Sequence, residues 1–355
     1  MSEIRVSGDG GYSVHVGTGV LTKLPSLLDG GPKKLLIIHQ PTLSNIADQL
    51  KSELSGNFEV LLAEIPDAES AKRVEVAAFC WQILGSSNFT RSDVIIGLGG
   101  GAATDLAGFV AATWLRGVQV ILIPTTVLGM VDAAIGGKTG INTSEGKNLV
   151  GAFHAPMAVV ADLEFLPGLP KNDVISGVAE VVKCGFIAEP RILELISQDL
   201  TTAIDPTSDV FSSIVELAIR VKARVVSEDF KETGLREILN YGHTLGHAIE
   251  YLERYQWRHG AAISIGMMFA AELARLAGRL TDEVVELHRS LLGGIGLPLN
   301  YPAGRWESLL SVMKRDKKAR GDLLRFIVLD GIGRPTVLAG PDQSLLFAAY
   351  QEIAS

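Results

Sequence analysis

The chain has 355 residues, of which 47% are hydrophobic and 20% are charged, and its formal net charge is -8. This length exceeds one ordinary domain, so two domains with sizeable cores are expected. The acidic balance excludes a general nucleic-acid or anionic-membrane binder, whose surface would be basic. Two cysteines are too few for a disulfide framework or a thiolate zinc site, and neither a signal pattern nor a membrane-length apolar run occurs, so we expect a cytoplasmic protein with no membrane partner.

Strand and helix patterns alternate through the first half of the chain. A hairpin is expected over residues 3–16, where apolar residues alternate around a glycine-rich turn. Apolar periodicity then predicts the strands 35–38, 59–62, 94–98 and 118–123 and the helices 43–54, 71–84 and 102–114. Such alternation is typical of a mostly parallel sheet with helices on both faces, which binds its ligands at the carboxyl ends of the strands.

The regular pattern lapses over residues 125–154, a glycine-rich stretch that we predict to be irregular and to line a binding site. A final strand at 158–161 precedes the break Pro167-Gly168-Leu169-Pro170. Beyond this break the periodicity is helical, apart from one predicted strand at 323–329. The sequence therefore predicts an α/β nucleotide-binding domain over residues 1–168 and a mainly α-helical domain over residues 169–355.

A glycine-rich turn, Gly97-Leu98-Gly99-Gly100-Gly101-Ala102, follows a predicted strand and opens a helix. Glycines let a phosphate approach the backbone at a helix N-terminus, where unpaired N–H groups favour anions. The usual dinucleotide fingerprint has an acidic residue about 20 positions later, but no Asp or Glu lies between Asp105 and Asp132. The turn indicates an unusual dinucleotide site, and the alternative is a turn that needs glycine for packing.

Two lysines lie beside glycines in the irregular stretch, Lys138 after Gly137 and Lys147 after Gly146. A glycine permits close approach and an ammonium adds a point charge, a combination that suits phosphate. A solvated loop would explain either lysine alone, but two within a dozen residues favour phosphate binding. A further charge run over residues 314–320 is, on composition, more typical of a solvated surface.

The segment Leu235–Glu250 is predicted to be one helix. At 3.6 residues per turn it would carry four polar side chains on one stripe, with apolar residues on its other side. These side chains are Arg236, Asn240, His243 and His247. A polar stripe on an otherwise apolar helix indicates a cleft inside the protein.

Histidines at i and i+4, such as His243 and His247, can ligate one metal ion. Glu180 lies on another predicted helix, one turn before Lys183, and His259 opens a third helix. Catalytic zinc sites use three protein ligands. Any three of these four candidates could form such a site, and spacing decides neither whether a metal binds nor which three would hold it.

The chain resembles the 3-dehydroquinate synthase family over nearly its whole length. The matching motifs lie at residues 99–117, 124–142, 146–154, 177–187, 235–250, 257–260 and 316–318. The resemblance implies a dehydroquinate synthase-like fold, tightly bound NAD, a divalent metal (Zn2+ or Co2+) and a homodimer. It implies that 3-deoxy-D-arabino-heptulosonate 7-phosphate is converted to 3-dehydroquinate and phosphate, in the shikimate pathway of aromatic amino-acid biosynthesis. The steps would be transient oxidation by NAD, phosphate elimination, re-reduction and aldol closure.

The resemblance also implies roles for individual residues. The metal ligands would be Glu180, His243 and His259. The catalytic residues would be His247, as the proton-handling group, with Lys138, Asp132, Asn148 and Arg236. The substrate would be held by Lys147, Lys183, Lys222, Asn240, Lys318 and Arg116, the last reaching across the dimer. NAD would be held by Glu69, Lys72, Gly99, Gly100, Gly101, Asp105, Thr125, Thr126, Asp132, Lys138 and Lys147.

The chain departs from the family pattern at Gln40, Ala133, Ala134 and Ala261, none of which is an implied metal ligand or phosphate lysine. Alternative functions are another sugar-phosphate cyclase of the valiolone or deoxy-inosose type, a metal-dependent polyol dehydrogenase, and a non-catalytic NAD-binding protein. The cyclases differ in whether they recognise a carboxylate. The dehydrogenase would need no phosphate lysines, and a non-catalytic protein would need no metal ligands.

Overall fold

A computed structural model describes residues 1–8, 10–29, 31–317 and 323–355. The chain forms two compact units. The N-terminal unit comprises Met1–Leu169 and Lys222–Lys231, and the C-terminal unit comprises Pro170–Val221 and Glu232–Ser355. Within the described ranges, no helix combines the length and the apolarity that crossing a membrane requires.

A seven-stranded sheet forms the centre of the N-terminal unit. The strands of the unit are β1 (Ser2–Val6), β2 (Tyr12–Gly17), β3 (Lys34–His39), β4 (Glu59–Glu64), β5 (Val94–Gly99), β6 (Gln119–Pro124), β7 (Lys138–Ile141), β8 (Val150–Phe153) and β9 (Ala158–Asp162). The sheet order is β1-β2-β9-β6-β5-β3-β4, in which β1 is antiparallel to β2 and the other neighbours are parallel. The central strands β3 and β5 are almost entirely buried, as their continuous apolar runs require.

The helices of this unit are α1 (Leu24–Leu27), α2 (Ser44–Leu54), α3 (Val74–Ser86) and α4 (Gly101–Thr113). The chain proceeds from β3 to β4 on one side and from β5 to β6 on the other, so the strand order reverses between β3 and β5. In doubly wound sheets the ligand crevice lies at this reversal, outside the carboxyl ends of the two strands. Gln40 follows β3 there, and the glycine-rich turn follows β5.

The stretch 125–154 is more regular than its sequence predicts. It contains a π-helical turn at Gly129–Ala133 and an antiparallel hairpin of β7 and β8. The strand pattern is weak because glycines interrupt it, yet the hairpin needs them: a Cβ on Gly151 would lie 2.2 Å from the carbonyl oxygen of Thr139. The prediction of an irregular stretch is therefore wrong for these eight strand residues.

Helices dominate the C-terminal unit. They are α5 (Lys171–Ile187), α6 (Pro190–Gln198), α7 (Asp209–Glu228, which continues into the N-terminal unit from Lys222), α8 (His243–Leu252), α9 (His259–Leu276), α10 (Asp282–Gly294), α11 (Trp306–Lys317) and α12 (Gln343–Glu352). The strands β10 (Arg325–Leu329) and β11 (Pro335–Ala339) form an antiparallel pair. Helix α9 is buried along most of its length and packs against α5, α8, α10 and α12, as an apolar helix of this length must.

The segment predicted as one helix over 235–250 is broken in two. A 3-10 helix, Leu235–Asn240, ends at Tyr241, and α8 begins only after Gly242, whose φ is 79°. This left-handed conformation is one that glycine adopts without strain and that interrupts an α-helix. The prediction that Arg236 and Asn240 continue the helical stripe of the two histidines is therefore wrong.

Candidate functional site

Three helices of the C-terminal unit bring together Glu180 from α5, His243 from α8 and His259 from α9. One ligand atom from each lies within 4.8 Å of the others. The Oε1 atom of Glu180 is 3.7 Å from Nε2 of His243 and 3.5 Å from Nε2 of His259. One carboxylate and two imidazoles are a donor set that catalytic zinc uses, so these residues fit a divalent metal ion.

Glycines allow these helices to approach closely. A Cβ on Gly260 would lie 2.0 Å from the carbonyl oxygen of Ser176 on α5, and a Cβ on Gly266 would lie 1.9 Å from that of Gly242. The Gly260 N–H also donates to Ser176 Oγ at 3.0 Å. Because Gly260 follows His259 and Ser176 precedes Glu180 by about one turn, the α5–α9 crossing sets the distance between these two candidate ligands.

Both imidazoles of the cluster have an acceptor near Nδ1. His243 Nδ1 lies 3.0 Å from the carbonyl oxygen of Tyr241, and His259 Nδ1 lies 3.4 Å from Oε2 of Glu250. With Nδ1 as the donor in each case, both residues present Nε2 to Glu180. Orientation of this kind, through the nitrogen that does not bind the metal, is usual in metal sites.

The side chain of Tyr241 is itself held from α10. The Nδ1 atom of His288 lies 2.7 Å from the carbonyl oxygen of Val284, so Nδ1 donates, and Nε2 accepts from the Tyr241 hydroxyl at 2.8 Å. The His288 ring stacks on Phe186 with the ring centroids 3.4 Å apart. Burial lowers the pKa of His288 to about 4, which keeps the imidazole neutral.

The two candidate histidine ligands have opposite pKa shifts. Burial, assisted by the charge of Lys183, lowers the pKa of His243 to about 3. Burial also opposes the charge on His259, but its hydrogen bonds to Glu180 and Glu250 outweigh that effect and raise its pKa to about 10. His243 is therefore ready to ligate near neutral pH, whereas a metal ion must displace a proton from His259.

Lys183 contacts Oε2 of Glu180, and both side chains are only 2% exposed. A buried pair of opposite charges is retained where each charge compensates the other. The lysine contacts one carboxylate oxygen while the other, Oε1, faces the two imidazoles. Lys183 thus joins the predicted cluster, one turn along α5 from the candidate ligand.

His247 lies one turn after His243 on α8 and is exposed. Its ring centroid is 5.1 Å from that of His243 and 6.2 Å from that of His259. With Glu250 and His259 it forms a second group of potential ligands within 4.8 Å. An exposed imidazole beside a metal site can exchange protons with water, as a general base requires.

Glu250 is absent from the residues predicted from sequence. It occurs seven positions after His243, so a helical stripe of His243, His247 and Glu250 was present in the pattern. The predicted stripe instead extended from the two histidines back to Asn240 and Arg236, across the break at Gly242. Arg236 and Asn240, on that side, lie on the 3-10 helix.

Arg236 is 2% exposed, and Asn240 donates from Nδ2 to Oε1 of Glu232 at 3.2 Å. The 3-10 helix that carries them is held at its surface by Glu237, whose two carboxylate oxygens accept from Arg325 of β10 at 2.9 and 2.7 Å. Neither Glu232 nor the Glu237–Arg325 pair was predicted. Glu237 and Arg325 are 88 positions apart, so no local spacing pattern indicates their pair, and Glu232 lies eight positions before Asn240, outside the segment that was predicted to be helical.

In the N-terminal unit, the glycine-rich turn meets the loop after β3. The Gly100 N–H donates to Oε1 of Gln40 at 3.1 Å, and Nε2 of Gln40 donates to Asp67 at 3.2 Å. A Cβ on Gly99 would lie 2.7 Å from Cβ of Ala103, and the φ of Gly99 is 153°, so the turn requires glycine at this position. Thr125 donates from its backbone N–H to the carbonyl oxygen of Gly99 at 2.9 Å. The turn thus opens α4 at the reversal of the sheet, where a dinucleotide pyrophosphate would fit.

Lys72 connects the predicted NAD and substrate residues of this unit. Its Nζ contacts carboxylate and amide oxygens of Asp105 and Asn148, and its side chain is 3% exposed. Burial raises the pKa of Asp105, and the charge of Lys72 opposes that rise. Nearby, Nζ of Lys147 lies 3.2 Å from Oε1 of Glu69.

Asn142 ties these two pairs together and was not predicted. It donates to Glu69 Oε2 at 2.6 Å, its Oδ1 accepts from the N–H of Asn148 at 3.1 Å, and its own N–H donates to the carbonyl oxygen of Lys72 at 2.7 Å.

The remaining predicted residues of the unit lie in other surroundings. Asp132 pairs with Lys222, Thr126 Oγ1 accepts from the Gly129 N–H, Gly101 is the first residue of α4, and Lys138 and Arg116 are exposed. Lys318 lies outside the described residues.

Two family models match consecutive parts of the chain: the 3-dehydroquinate synthase N-terminal model matches residues 62–176, and the C-terminal model matches residues 177–319. The 3-dehydroquinate synthase of Leifsonia xyli subsp. xyli is 64% identical over 354 residues, which cover 100% of this chain and 99% of that protein.

Two solved structures share the whole fold. One is 2-deoxy-scyllo-inosose synthase complexed with carbaglucose-6-phosphate, NAD+ and Co2+, with a TM-score of 0.88 and 26% identity over 99% of both chains. The other is 2-epi-5-epi-valiolone synthase from Streptomyces hygroscopicus subsp. jinggangensis with NAD+ and Zn2+ bound. Its TM-score is 0.89 and its identity 25%, over 98% of this chain and 97% of that chain.

The fold and the clusters define a class of protein: an enzyme that joins a doubly wound nucleotide-binding unit to a helical unit with a carboxylate-and-imidazole cluster that could hold a metal ion. Within this class, the chain belongs to the 3-dehydroquinate synthase family. It is a phosphate-eliminating cyclase of the lyase class that acts on a phosphorylated, sugar-like substrate. The resemblance and the fold class predicted from the sequence are thereby confirmed.

Proposed function

We propose that this enzyme converts 3-deoxy-D-arabino-heptulosonate 7-phosphate to 3-dehydroquinate and phosphate, as the shikimate pathway requires. The observation that carries the proposal is the cluster of Glu180, His243 and His259 with His247 beside it, in a chain that matches 3-dehydroquinate synthases over its full length. We further propose that it works in the cytoplasm as a homodimer. Both cysteines are buried and unbridged, which suits a reducing compartment.

The cofactors are NAD and a divalent metal, Zn2+ or Co2+, as in the two solved relatives. When bound, NAD supplies a hydride acceptor that later returns the hydride, and the metal supplies a Lewis acid for the substrate's hydroxyls. We assign the metal to Glu180, His243 and His259. We assign NAD to the turn Gly99–Gly101 and to Glu69, Lys72, Asp105, Thr125, Thr126, Asp132, Lys138 and Lys147.

His247 is the residue that we assign to proton transfer. Its exposure on α8 lets it take a proton from a substrate hydroxyl and pass that proton to water. His243 is unsuited to this role because its Nδ1 proton is held by the carbonyl oxygen of Tyr241 and its Nε2 faces Glu180. The division of labour between two histidines one turn apart therefore follows from their different partners.

Charged side chains hold the anionic groups of the substrate. Buried Arg236, with Lys222, suits the carboxylate, and Asn240 suits the hydroxyl groups. We assign the phosphate and its surroundings to Lys138, Lys147, Asn148, Lys183 and Lys318, with Arg116 supplied by the second subunit. A set of cations stabilises phosphate as a leaving group because charge accumulates on its oxygens during elimination. Ring opening and aldol closure then require chiefly that the site keeps the substrate intermediate in the reactive conformation.

The alternative cyclases would share the cofactors, so the substrate's carboxylate decides between them. The solved deoxy-inosose and valiolone synthases are 26% and 25% identical to this chain, whereas the Leifsonia 3-dehydroquinate synthase is 64% identical. A polyol dehydrogenase has no need of the lysines assigned to phosphate. The dehydroquinate reaction is thus the proposal that accounts for Arg236, the lysines and the metal ligands together.

A single assay tests the proposal. The purified enzyme, with zinc or cobalt and NAD at catalytic concentration, is incubated with the heptulosonate phosphate, and phosphate and dehydroquinate are followed. We expect equal amounts of both products and no net NADH. Absence of phosphate release would refute the synthase assignment, stoichiometric NADH would indicate a dehydrogenase, and a preference for a heptulose phosphate that lacks the carboxylate would indicate the valiolone type.

A further inference from the structure

The carboxylate of Glu250 lies against the outer side of His259, away from the atoms assigned to the metal. Glu250 is 7% exposed, and its Oε2 lies 3.4 Å from Nδ1 of His259, while Nε2 of the same ring lies 3.5 Å from Oε1 of Glu180. The imidazole is thus held between two carboxylates. Glu180 is a candidate metal ligand. Glu250 contacts Nδ1, the ring nitrogen that faces away from the proposed metal position.

We propose that Glu250 is a positioning residue for His259, an inference that rests on the metal site proposed above. A carboxylate that accepts the Nδ1 proton fixes the tautomer in which Nε2 carries the lone pair, and it increases the basicity of that nitrogen. At Nδ1 of the second histidine of the cluster, His243, the acceptor is a neutral carbonyl oxygen, that of Tyr241. Glu250 therefore makes His259 the stronger donor of the two.

The placement of Glu250 follows from the packing of α8 on α9. Glu250 lies seven positions after His243, which is close to two helical turns, so both point from the same face of α8. Gly246 lies between them, and a Cβ there would lie 3.2 Å from the carbonyl oxygen of Ala262 on α9. Because α8 and α9 approach closely, α8 supplies the candidate ligand His243 and also Glu250, which orients the candidate ligand His259 of α9.

Zinc affinity provides the test, because it reports on the site without requiring turnover. Metal-free full-length protein is titrated with Zn2+ in competition with a chromophoric chelator. Loss of a residue that orients a metal ligand typically weakens binding by about 10- to 100-fold. We expect that loss for Glu250→Ala and a smaller one for Glu250→Gln, which keeps an acceptor oxygen but removes the charge. The visible spectrum of the Co2+ form should shift in both variants.

The matched control is Glu253→Gln, three positions after Glu250. This substitution neutralises a carboxylate that accepts a hydrogen bond from the Tyr301 hydroxyl. It should bind zinc as the wild type does. Wild-type affinity and an unshifted Co2+ spectrum in Glu250→Ala would overturn the inference. So would a loss of binding as complete as in His243→Ala, which would make Glu250 a ligand with His247 and His259. If the wild type itself binds no zinc, the failure belongs to the proposed metal site.

Discussion

We expect the substitution Gly260→Ala, which adds one methyl group where α5 crosses α9, to weaken zinc binding, activity and stability. The new Cβ would lie 2.0 Å from the carbonyl oxygen of Ser176, whereas real Cβ contacts are essentially never shorter than 3.0 Å. Since the clashing atom belongs to the backbone, the two helices must separate by about 1 Å or α9 must unwind at its start. His259, the preceding residue, would then move away from Glu180.

The size of this displacement decides the outcome. Metal–ligand distances tolerate changes of only about 0.2 Å, so a shift of about 1 Å should weaken zinc binding by more than 10-fold. Displacement of this size should also cost about 100-fold in activity. The free energy of unfolding should fall by about 1–3 kcal/mol, as for other overpacked cores. Zinc titration, phosphate release and denaturant unfolding measure the three effects separately.

A matched control is Gly85→Ala, in helix α3. There the added Cβ would lie 3.5 Å from Cη2 of Trp114, an ordinary contact, so alanine should stabilise the helix by about 0.5–1 kcal/mol and leave zinc binding unchanged. Wild-type zinc affinity in Gly260→Ala would refute the argument that this crossing sets the ligand distances.

Three further predictions concern single side chains. His247→Ala should bind zinc normally and lose most activity, whereas His243→Ala should lose the metal; equal metal loss in both, by the same titration, would show that the assignment is wrong. Lys72→Met should weaken NAD binding at least 10-fold and lower stability by about 3 kcal/mol, because Asp105 loses its cation; unchanged NAD affinity, measured by fluorescence titration, would contradict this. The pKa of His288 is about 4 in the folded protein against 6.5 for an unperturbed imidazole. The unfolded chain takes up the proton first, so this contribution to stability is complete above pH 6.5 and is lost by roughly 2 kcal/mol at pH 5. Denaturant curves at pH 7.5 and 5 should show this loss in the wild type, and His288→Gln should reduce it by about that amount.

Much of the architecture was predictable because it depends on local patterns. The buried strands, the glycine-rich turn before α4 and the chemistry of the side chains on the C-terminal helices can be recognised from periodicity and residue type. Periodicity alone left four candidates for the metal, and the resemblance to a family selected three of them. Those three residues form one of two groups of potential ligands that lie within 4.8 Å of one another in the described parts of the chain, and the other group is His247, Glu250 and His259, so the ligand assignment stays a prediction.

The structural features that the sequence did not predict depend on contacts between residues that are distant along the chain. The helix predicted over 235–250 breaks at Gly242 because α9 packs against that point: a Cβ on Gly266 would lie 1.9 Å from the Gly242 carbonyl oxygen. No pattern within the segment itself encodes this approach. The hairpin of β7 and β8 was missed for a related reason, since Gly140 and Gly151 serve close cross-strand contact and weaken the strand pattern.

The sequence by itself determined which chemical groups are available: two imidazoles one turn apart, a carboxylate and a lysine on a second helix, and a third imidazole at the start of another. Only the tertiary structure decided how each group is oriented. His243 faces a carbonyl oxygen, His259 faces Glu250, and His247 is exposed. The physical reason is that a donor's orientation depends on its hydrogen-bond partner, and for His259 that partner lies on a neighbouring helix, where no spacing rule along the chain can predict it.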